Sequence, residues 1–245
     1  MKLALYSDLH TEFLSASQVK SFLDPMLQSD AECVVLAGDI AVGQANVIEV
    51  LNIFSNHYPH VIYVAGNHEY YGSSLEKFNT LNSLPSNVHF LNPGCVQIND
   101  VKFIGASLWT NFRDDPLAMS AAYSMINDFR RIKGFSPNQA RKLFYRDLDF
   151  IKSSVTPGKK VIVTHFLPAI ECIHERFHHE GLLNNYFAND LADYIEHLSD
   201  TTWLFGHTHD SVDITIGNTN LHCNPYGYAH RDINPNFNSR KEIEI

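Results

Sequence analysis

The chain reads as an α/β protein built on parallel strands. Short apolar runs rich in β-branched residues alternate with segments of helical periodicity, and nearly every run ends in a polar or glycine-containing turn. The 245 residues are enough to bury a sizeable core without disulfide staples. With 44% hydrophobic and 18% charged residues, the composition is that of a globular protein.

The elements follow in order. Residues 2–7, 33–37 and 60–65 are expected strands, and 18–28 and 44–56 the helices between them. In the second helix Val47, Val50, Leu51 and Phe54 fall at i, i+3, i+4 and i+7, which makes one apolar face. This βαβαβ order implies right-handed crossovers between parallel strands. Ser73 or Ser74 is placed to cap a further helix, with Glu76 and Lys77 in its first turn. Residues 88–91, 95–98 and 102–107 read as short strands, with a hairpin turn at Asn99-Asp100. From 109 to 134 the pattern loosens around Asp114-Asp115-Pro116 and a helix near 117–127, so an inserted loop or lid is expected there. Its Arg113, Arg130 and Arg131, interleaved with Trp109, Phe112 and Phe129, read either as a grip for a phosphate or base or as solvated charges on a packed segment. Ser136-Pro137 opens a helix that runs to about 153. Residues 160–164 and 202–205 are strands, 184–198 a helix, and 212–216 with 220–223 a hairpin around Gly217-Asn218. The polar tail after Pro225 is expected to be irregular. Without internal repeats, linkers or low-complexity segments, one domain is expected across 1–245.

Composition also narrows function. A net charge of −9 leaves no broad basic surface for nucleic acid. No stretch approaches the roughly 20 apolar residues that cross a membrane. The first apolar run is too short for a signal-peptide core, so a cytoplasmic protein is expected. Cys33, Cys95, Cys172 and Cys223 form no C-x-x-C pair and read as reduced, mostly buried thiols. Histidine is abundant, 14 residues against 18 lysines and arginines.

The histidines have a pattern. Successive strands end in Asp8-Leu9-His10, Gly38-Asp39, Gly66-Asn67-His68-Glu69, Thr164-His165 and Gly206-His207-Thr208-His209. Ligands of open α/β sheets bind at the carboxyl ends of the strands, so these five turns are expected to converge. Carboxylate oxygens and imidazole nitrogens suit Mn, Fe or Zn; the absence of thiolate argues against a structural zinc. Asp8, His10, Asp39, Asn67, His165, His207 and His209 offer too many donors for one open catalytic ion but suit two, with Asp39 bridging.

This order of motifs resembles the calcineurin-like metallophosphoesterases from residue 3 to about 225. The resemblance implies a four-layer α/β/β/α sandwich with two central mixed β-sheets and the metal site at the strand C-terminal ends. It implies a first divalent ion on Asp8, His10, Asp39 and His209, and a second on Asp39, Asn67, His165 and His207. His68 would lie beside the substrate and work with Asp39 in catalysis. The implied reaction is phosphoester hydrolysis by a metal-bridging hydroxide, with His68 contacting the phosphoryl oxygen or protonating the leaving group.

The sequence departs from one branch of that family. The protein serine/threonine phosphatases carry Gly-Asp-x-Val-Asp-Arg-Gly, whereas this chain has Gly38-Asp39-Ile40-Ala41-Val42-Gly43. The second acid, which would orient the histidine, and the phosphate-binding arginine are both missing, and Ala65 stands where an arginine is usual. With few fixed cations, a monoanionic diester is the easier ligand. The expectation is therefore a phosphodiesterase acting on a small molecule or nucleotide; the alternative is a phosphomonoesterase, with a nuclease and a non-catalytic binding domain behind both. The segment His174-Glu175-Arg176-Phe177-His178-His179-Glu180 is rich in donors and reads as a solvated loop, with a place at the pocket rim as the alternative. Tyr70-Tyr71 reads equally as pocket wall or core, and His222 as an ordinary position or one beside the metals.

Overall fold

A computed structural model describes residues 1–81 and 83–245. The first half builds one sheet from β1 (Lys2–Tyr6), β2 (Cys33–Ala37), β3 (His60–Val64) and β4 (Val88–Phe90), linked by α1 (Ala16–Leu23), α2 (Gln44–Ser55) and α3 (Leu75–Asn79). These four strands are parallel and in sequence order. The second sheet contains β5 (Gly94–Ile98), β6 (Val101–Gly105), β7 (Lys160–Val163), β8 (Thr201–Phe205), β9 (Val212–Ile216) and β10 (Thr219–Cys223), in the order β5-β6-β7-β8-β10-β9. Its inner strands are parallel, and the hairpins β5/β6 and β9/β10 make both edges antiparallel. Between the sheets in sequence lie α4 (Pro116–Met125), α5 (Asp128–Arg131) and α6 (Pro137–Ser154), and later α7 (Asn184–Phe187) and α8 (Ala192–Glu196).

Strand alternation explains the layering. On one face of the first sheet Ala4, Tyr6, Val34, Leu36, Val61 and Tyr63 pack against Val47, Leu51 and Phe54 of α2. On the other, Leu3, Leu5, Val35, Ala37, Ile62 and Val64 meet Val101, Phe103, Val161, Val163 and Leu204 of the second sheet. The outer face of that sheet, through Ile104, Ile162, Trp203 and Phe205, packs on Phe144, Leu148 and Ile151 of α6 and Ile195 of α8. Three apolar interfaces between four layers give the α/β/β/α order. Each fully buried Val, Leu, Ile or Phe contributes roughly 1.5–3 kcal/mol.

Local differences from the sequence expectations have physical causes. The first helix begins at Ala16 behind the Ser15–Gln18 capping box, and Asp24-Pro25 tightens its continuation into a 3-10 turn over Asp24–Gln28. The helix expected at 184–198 is two short pieces. Between them Ala188 bridges Leu167, and the Asn189 side chain donates to the Leu108, Trp109 and Leu167 carbonyls, so tertiary bonds replace helical ones. The 109–134 segment packs Phe112, Ala118, Ala122 and Ile132 into the helix-side core. Cys33, Cys172 and Cys223 are buried and Cys95 is exposed; all four are free.

The largest correction concerns the tail. It forms β11 (Gly227–Tyr228), β12 (Asp232–Ile233) and β13 (Glu242–Glu244). β11 and β12 pair with each other, and β13 pairs antiparallel with β1, placing Leu3 opposite Ile243. A polar sequence hid this strand because only Ile243 of its three residues turns inward. It covers an edge that would otherwise present unpaired backbone groups. Ile243→Ala should lower the unfolding free energy by about 2 kcal/mol in urea titration, whereas Glu244→Ala should change it by less than about 0.5 kcal/mol.

Candidate metal centre

The five polar turns meet at one place, the seam where both sheets end. Asp8 and His10 follow β1, Asp39 follows β2, Asn67 follows β3, His165 follows β7, and His207 and His209 follow β8. Asp8, His10, Asp39, His207 and His209 have φ of 51°, 43°, 54°, 70° and 55°. This left-handed region costs a non-glycine residue on the order of 1–2 kcal/mol. Hydrogen bonds within the first sheet and across the seam over-determine it. Asp8 and His10 N–H donate to the Gly38 and Asp39 carbonyls at 2.9 and 3.0 Å. The His207 N–H donates to the Asp8 carboxylate at 2.9 Å, and the Ser107 hydroxyl to the Ala65 carbonyl at 2.6 Å. Glycine is needed where these turns touch: a Cβ on Gly66 would stand 2.7 Å from His165 Nε2, and one on Gly206 2.8 Å from Asp8 Oδ2.

The donors converge in linked groups. Asp8, His10 and His209 place one potential ligand atom each within 4.8 Å of one another, and so do Asp39, His165 and His207; His10, Asp39 and His68 form a third group that joins them. His10 Nε2 and His209 Nε2 are 3.1 Å apart, His209 Nε2 is 3.4 Å from Asp8 Oδ1, and Asn67 Oδ1 is 3.1 Å from His165 Nε2. Asp39 Oδ2 lies between the groups, 3.7 Å from His10 Nε2 and 3.5 Å from His165 Nε2. The ring orientations suit cation binding. His165 Nδ1 faces the Ala37 carbonyl at 2.8 Å and His10 Nδ1 faces Glu12 at 3.1 Å, so those nitrogens carry protons and each Nε2 is the nitrogen turned to the cluster, where a cation would take the place of any proton. His207 Nε2 is buried without a hydrogen-bond partner. An orphaned buried imidazole nitrogen beside Asp39, His165 and Asn67 is the donor set a divalent transition metal takes.

Electrostatics point the same way. Burial would raise both carboxyls, yet the His209 and His165 rings hold Asp8 down at about 2, and His165 with His68 holds Asp39 well below the carboxylate range. Burial would lower His165, but Asp39 pulls it up to about 10. Burial and the neighbouring His165 depress His207 strongly. The carboxylates thus demand positive charge, and the imidazoles are its only source within the cluster among the described residues.

Three further acids, to which the sequence alone assigns no role, organise the candidate ligands. Glu12 Oε1 accepts from His10 Nδ1 at 3.1 Å and from His68 Nδ1 at 2.9 Å. It supplies, from the turn after β1, the histidine-orienting acid missing after Asp39. Glu69 is fully buried and accepts from the Asp39, Ile40 and Gly66 N–H groups, tying two ligand turns together; burial raises it to about 8. Asp128, at the start of α5, accepts from Asn67 Nδ2 at 3.0 Å and from the Tyr71 and Tyr186 hydroxyls, which turns Asn67 Oδ1 toward His165. Glu69, within the Gly66-Asn67-His68-Glu69 turn, and Glu12, two residues beyond His10, carry a signal in the sequence; Asp128 carries none.

A cavity of about 360 Å³ opens on this cluster, lined among others by Asn67, His68, Tyr71, Asn127, His207 and Tyr228. Arg113, Arg130 and Arg131 do not line it. Arg113 faces Asp190 at 3.6 Å, Arg130 bonds the Ser124 carbonyl, and Arg131 lies 4.8 Å over the Tyr71 ring. The 174–180 segment is solvated but ordered: after His174 it forms the start of a 3-10 stretch, Glu175–Leu183, in which no residue is buried, and its Phe177 and Glu180 line the cavity together with Leu183. His222 pairs with Asp213 on the exposed hairpin, away from the cluster. Tyr71 is pocket wall, while Tyr70 belongs to the core.

Fold and site define a metal-dependent hydrolase with its centre at the ends of paired sheets. The family model for calcineurin-like phosphoesterase matches residues 1–211, and the chain belongs to that family, as a binuclear metal phosphoester hydrolase. An uncharacterized protein of Acanthamoeba polyphaga mimivirus is 27% identical, over 98% of this chain and 95% of its own length. Among solved structures, a phosphopantetheinyl hydrolase from Mycobacterium tuberculosis has a TM-score of 0.70 at 15% identity, covering 93% of this chain and 89% of that one. A dimetal phosphatase from Danio rerio has a TM-score of 0.44 at 15% identity, covering 91% and 86%.

Chelator-stripped protein should take up two equivalents of Mn²⁺ by calorimetry, with a rise in melting temperature that grows with free metal. His207→Ala should bind one equivalent. Glu12→Gln should keep the stoichiometry while weakening affinity about 10–100-fold, since an acid behind a ligating imidazole sets its orientation and basicity.

Proposed function

We propose that the protein hydrolyses small-molecule phosphodiesters, using two divalent transition-metal ions (Mn, Fe or Zn). Asp8, His10, Asp39 and His209 hold one ion; Asp39, Asn67, His165 and His207 hold the other. Divalent cations held there supply an ionised water as nucleophile and polarise the phosphoryl oxygens. The orphaned His207 Nε2 facing the second donor group carries this reading.

The chain's own residues do the rest. Asp39 keeps Oδ2 between the two donor groups because its Oδ1 accepts the His68 N–H at 2.8 Å. The same contact fixes His68 at the pocket edge. Glu12 takes its Nδ1–H, and Nε2 points toward the Tyr228 hydroxyl at 3.2 Å, within the cavity. Burial would lower His68, while Asp39 and Glu12 act to raise it. With Glu12 on Nδ1, the Nε2–H is the group turned to the cavity, where it can give a proton to a leaving alkoxide. No lysine or arginine is among the residues lining the cavity. A monoanionic diester needs no cation beyond the two metals, whereas a dianionic monoester lacks the arginine clamp that would complete its charge balance. The name of the Mycobacterium tuberculosis relative, a phosphopantetheinyl hydrolase, fits a small-molecule phosphoester substrate.

Mn-reconstituted protein should hydrolyse bis-p-nitrophenyl phosphate at least about tenfold faster in kcat/KM than p-nitrophenyl phosphate; the reverse order would assign a monoesterase. His68→Gln should retain both metals and lose about 10²–10⁴ in turnover of an alkyl ester. Full activity with normal metal content would remove His68 from the chemistry.

A further inference from the structure

The two sides of the centre are built differently. On the His209 side the Tyr228 ring lies 4.5 Å from both His10 and His209, and Phe13 packs behind it at 5.3 Å. That side of the cavity is walled by aromatic packing. On the His207 side the imidazole is flanked by Phe166 at 4.2 Å and Phe187 at 5.4 Å between ring centroids. Beyond Phe187 the cavity continues between the end of α4, through Met125 and Ile126, and the 173–187 segment, through Ile173, Phe177 and Leu183. The apolar surface also runs outward: Met125 is 61% exposed, and Leu182, next to the lining Leu183, is 45% exposed. Exposed methionine and leucine at the mouth of an apolar cleft mark a ligand surface.

The charges around this arm are negative or already paired. Glu180, from the 173–187 segment, and Asp232, opposite Tyr228, both line the cavity. The guanidinium of Arg176, which covers the Phe177 ring at 4.3 Å, donates to Asp210 and, at 3.0 and 3.2 Å, to the Asp232 carboxylate. The subsite therefore offers hydrocarbon and ring surface to a neutral group and repels an arm bearing further phosphate.

We infer that the cleft beyond His207 is a subsite for one ester arm of the substrate, an uncharged and largely apolar alkyl or aryl group. This deepens the phosphodiesterase reading and rests on it. It separates the substrate class from polynucleotides and polyphosphates, whose flanking charges would meet Glu180 and Asp232.

Two measurements keep the inference apart from the reading beneath it. In the first, metal-loaded protein is given p-nitrophenyl phosphodiesters that share a leaving group and differ in the second arm: methyl, phenyl, hexyl and thymidine 5′. The hexyl and phenyl esters should exceed methyl by at least about tenfold in kcat/KM, since each buried methylene adds a few-fold at full burial. In the second, binding of ethyl(methyl)phosphinate and hexyl(methyl)phosphinate, monoanions with no ester bond to cleave, is measured by calorimetry, and hexyl should bind at least about tenfold tighter. Ile126→Ser and Leu183→Ser should each lower the hexyl-to-methyl ratio; the ratio is the quantity read. Absent turnover with tighter hexyl binding would sink the hydrolase reading and leave the subsite standing. A flat arm series with turnover intact, or a thymidine arm that outruns hexyl, would overturn the subsite.

Discussion

Asp8 and Asp39 are buried carboxylates at the seam between two sheets. Taking such a group out of water costs several kcal/mol, and only close positive charge or well-aimed donors offset it. The chain supplies part of the compensation itself. The His207 N–H reaches Asp8, the His68 N–H reaches Asp39, and histidine rings crowd both. The rings are not fully satisfied in return, since His207 Nε2 has no partner. Left-handed backbone at five of the proposed ligand positions adds local strain on the same residues. A fold that concentrates buried charge, an orphaned imidazole and strained backbone at one edge trades stability for a binding site. The three apolar interfaces between the four layers provide the stability it spends.

That arrangement explains why the two sheets have to meet there. Each sheet alone carries an incomplete donor set: Asp8, His10, Asp39 and Asn67 on one, His165, His207 and His209 on the other. Both ligand groups mix residues from the two sheets, because Asp8 and His10 pair with His209 while Asp39 pairs with His165 and His207. Face-to-face packing of Leu5, Val35 and Val64 on Phe103, Val163 and Leu204 sets the spacing across the seam. The inter-sheet core is thus the frame of the site as well as a source of stability. One of its residues, Ala37, holds the His165 ring through its carbonyl, and a shift in this core would move the cross-seam distances.

Much of this was legible in the sequence. Strands β1, β2, β3, β7 and β8 announced themselves as apolar runs, and the ligand turns by residue type at their ends. What escaped was carried by tertiary contact. β13 has a single buried residue, so periodicity had nothing to register. The break between α7 and α8 is made by Asn189 bonding to distant carbonyls, which no local propensity reveals. Asp128 looked like one acid in an irregular insertion. It orients Asn67 only because α5 folds back beneath it, with the Tyr71 and Tyr186 hydroxyls closing the network. Tyr228 reaches His68 only because the tail is tied to the first turn by the Tyr226 and Gly227 N–H groups, which donate to the Ser7 and Asp8 carbonyls.

Glu12 shows what a missing motif residue does and does not imply. An imidazole that works as an acid needs a carboxylate on its remote nitrogen, and the requirement is on position in space, not in the chain. The stretch after Asp39 offers isoleucine, alanine, valine and glycine, so that source is closed. The turn after β1 passes the same point, because the Thr11 N–H and hydroxyl bond the Ile40 carbonyl and hold the two turns side by side. Glu12 is the next residue. From there one oxygen serves both His68 and the ligand His10, and the two imidazoles hold its carboxyl at about 2 against the opposing effect of burial. The same substitution couples two functions that a separate acid would keep apart. In this chain the group that fixes the proposed proton donor also fixes a proposed metal ligand, so metal affinity and acid catalysis are bound to vary together.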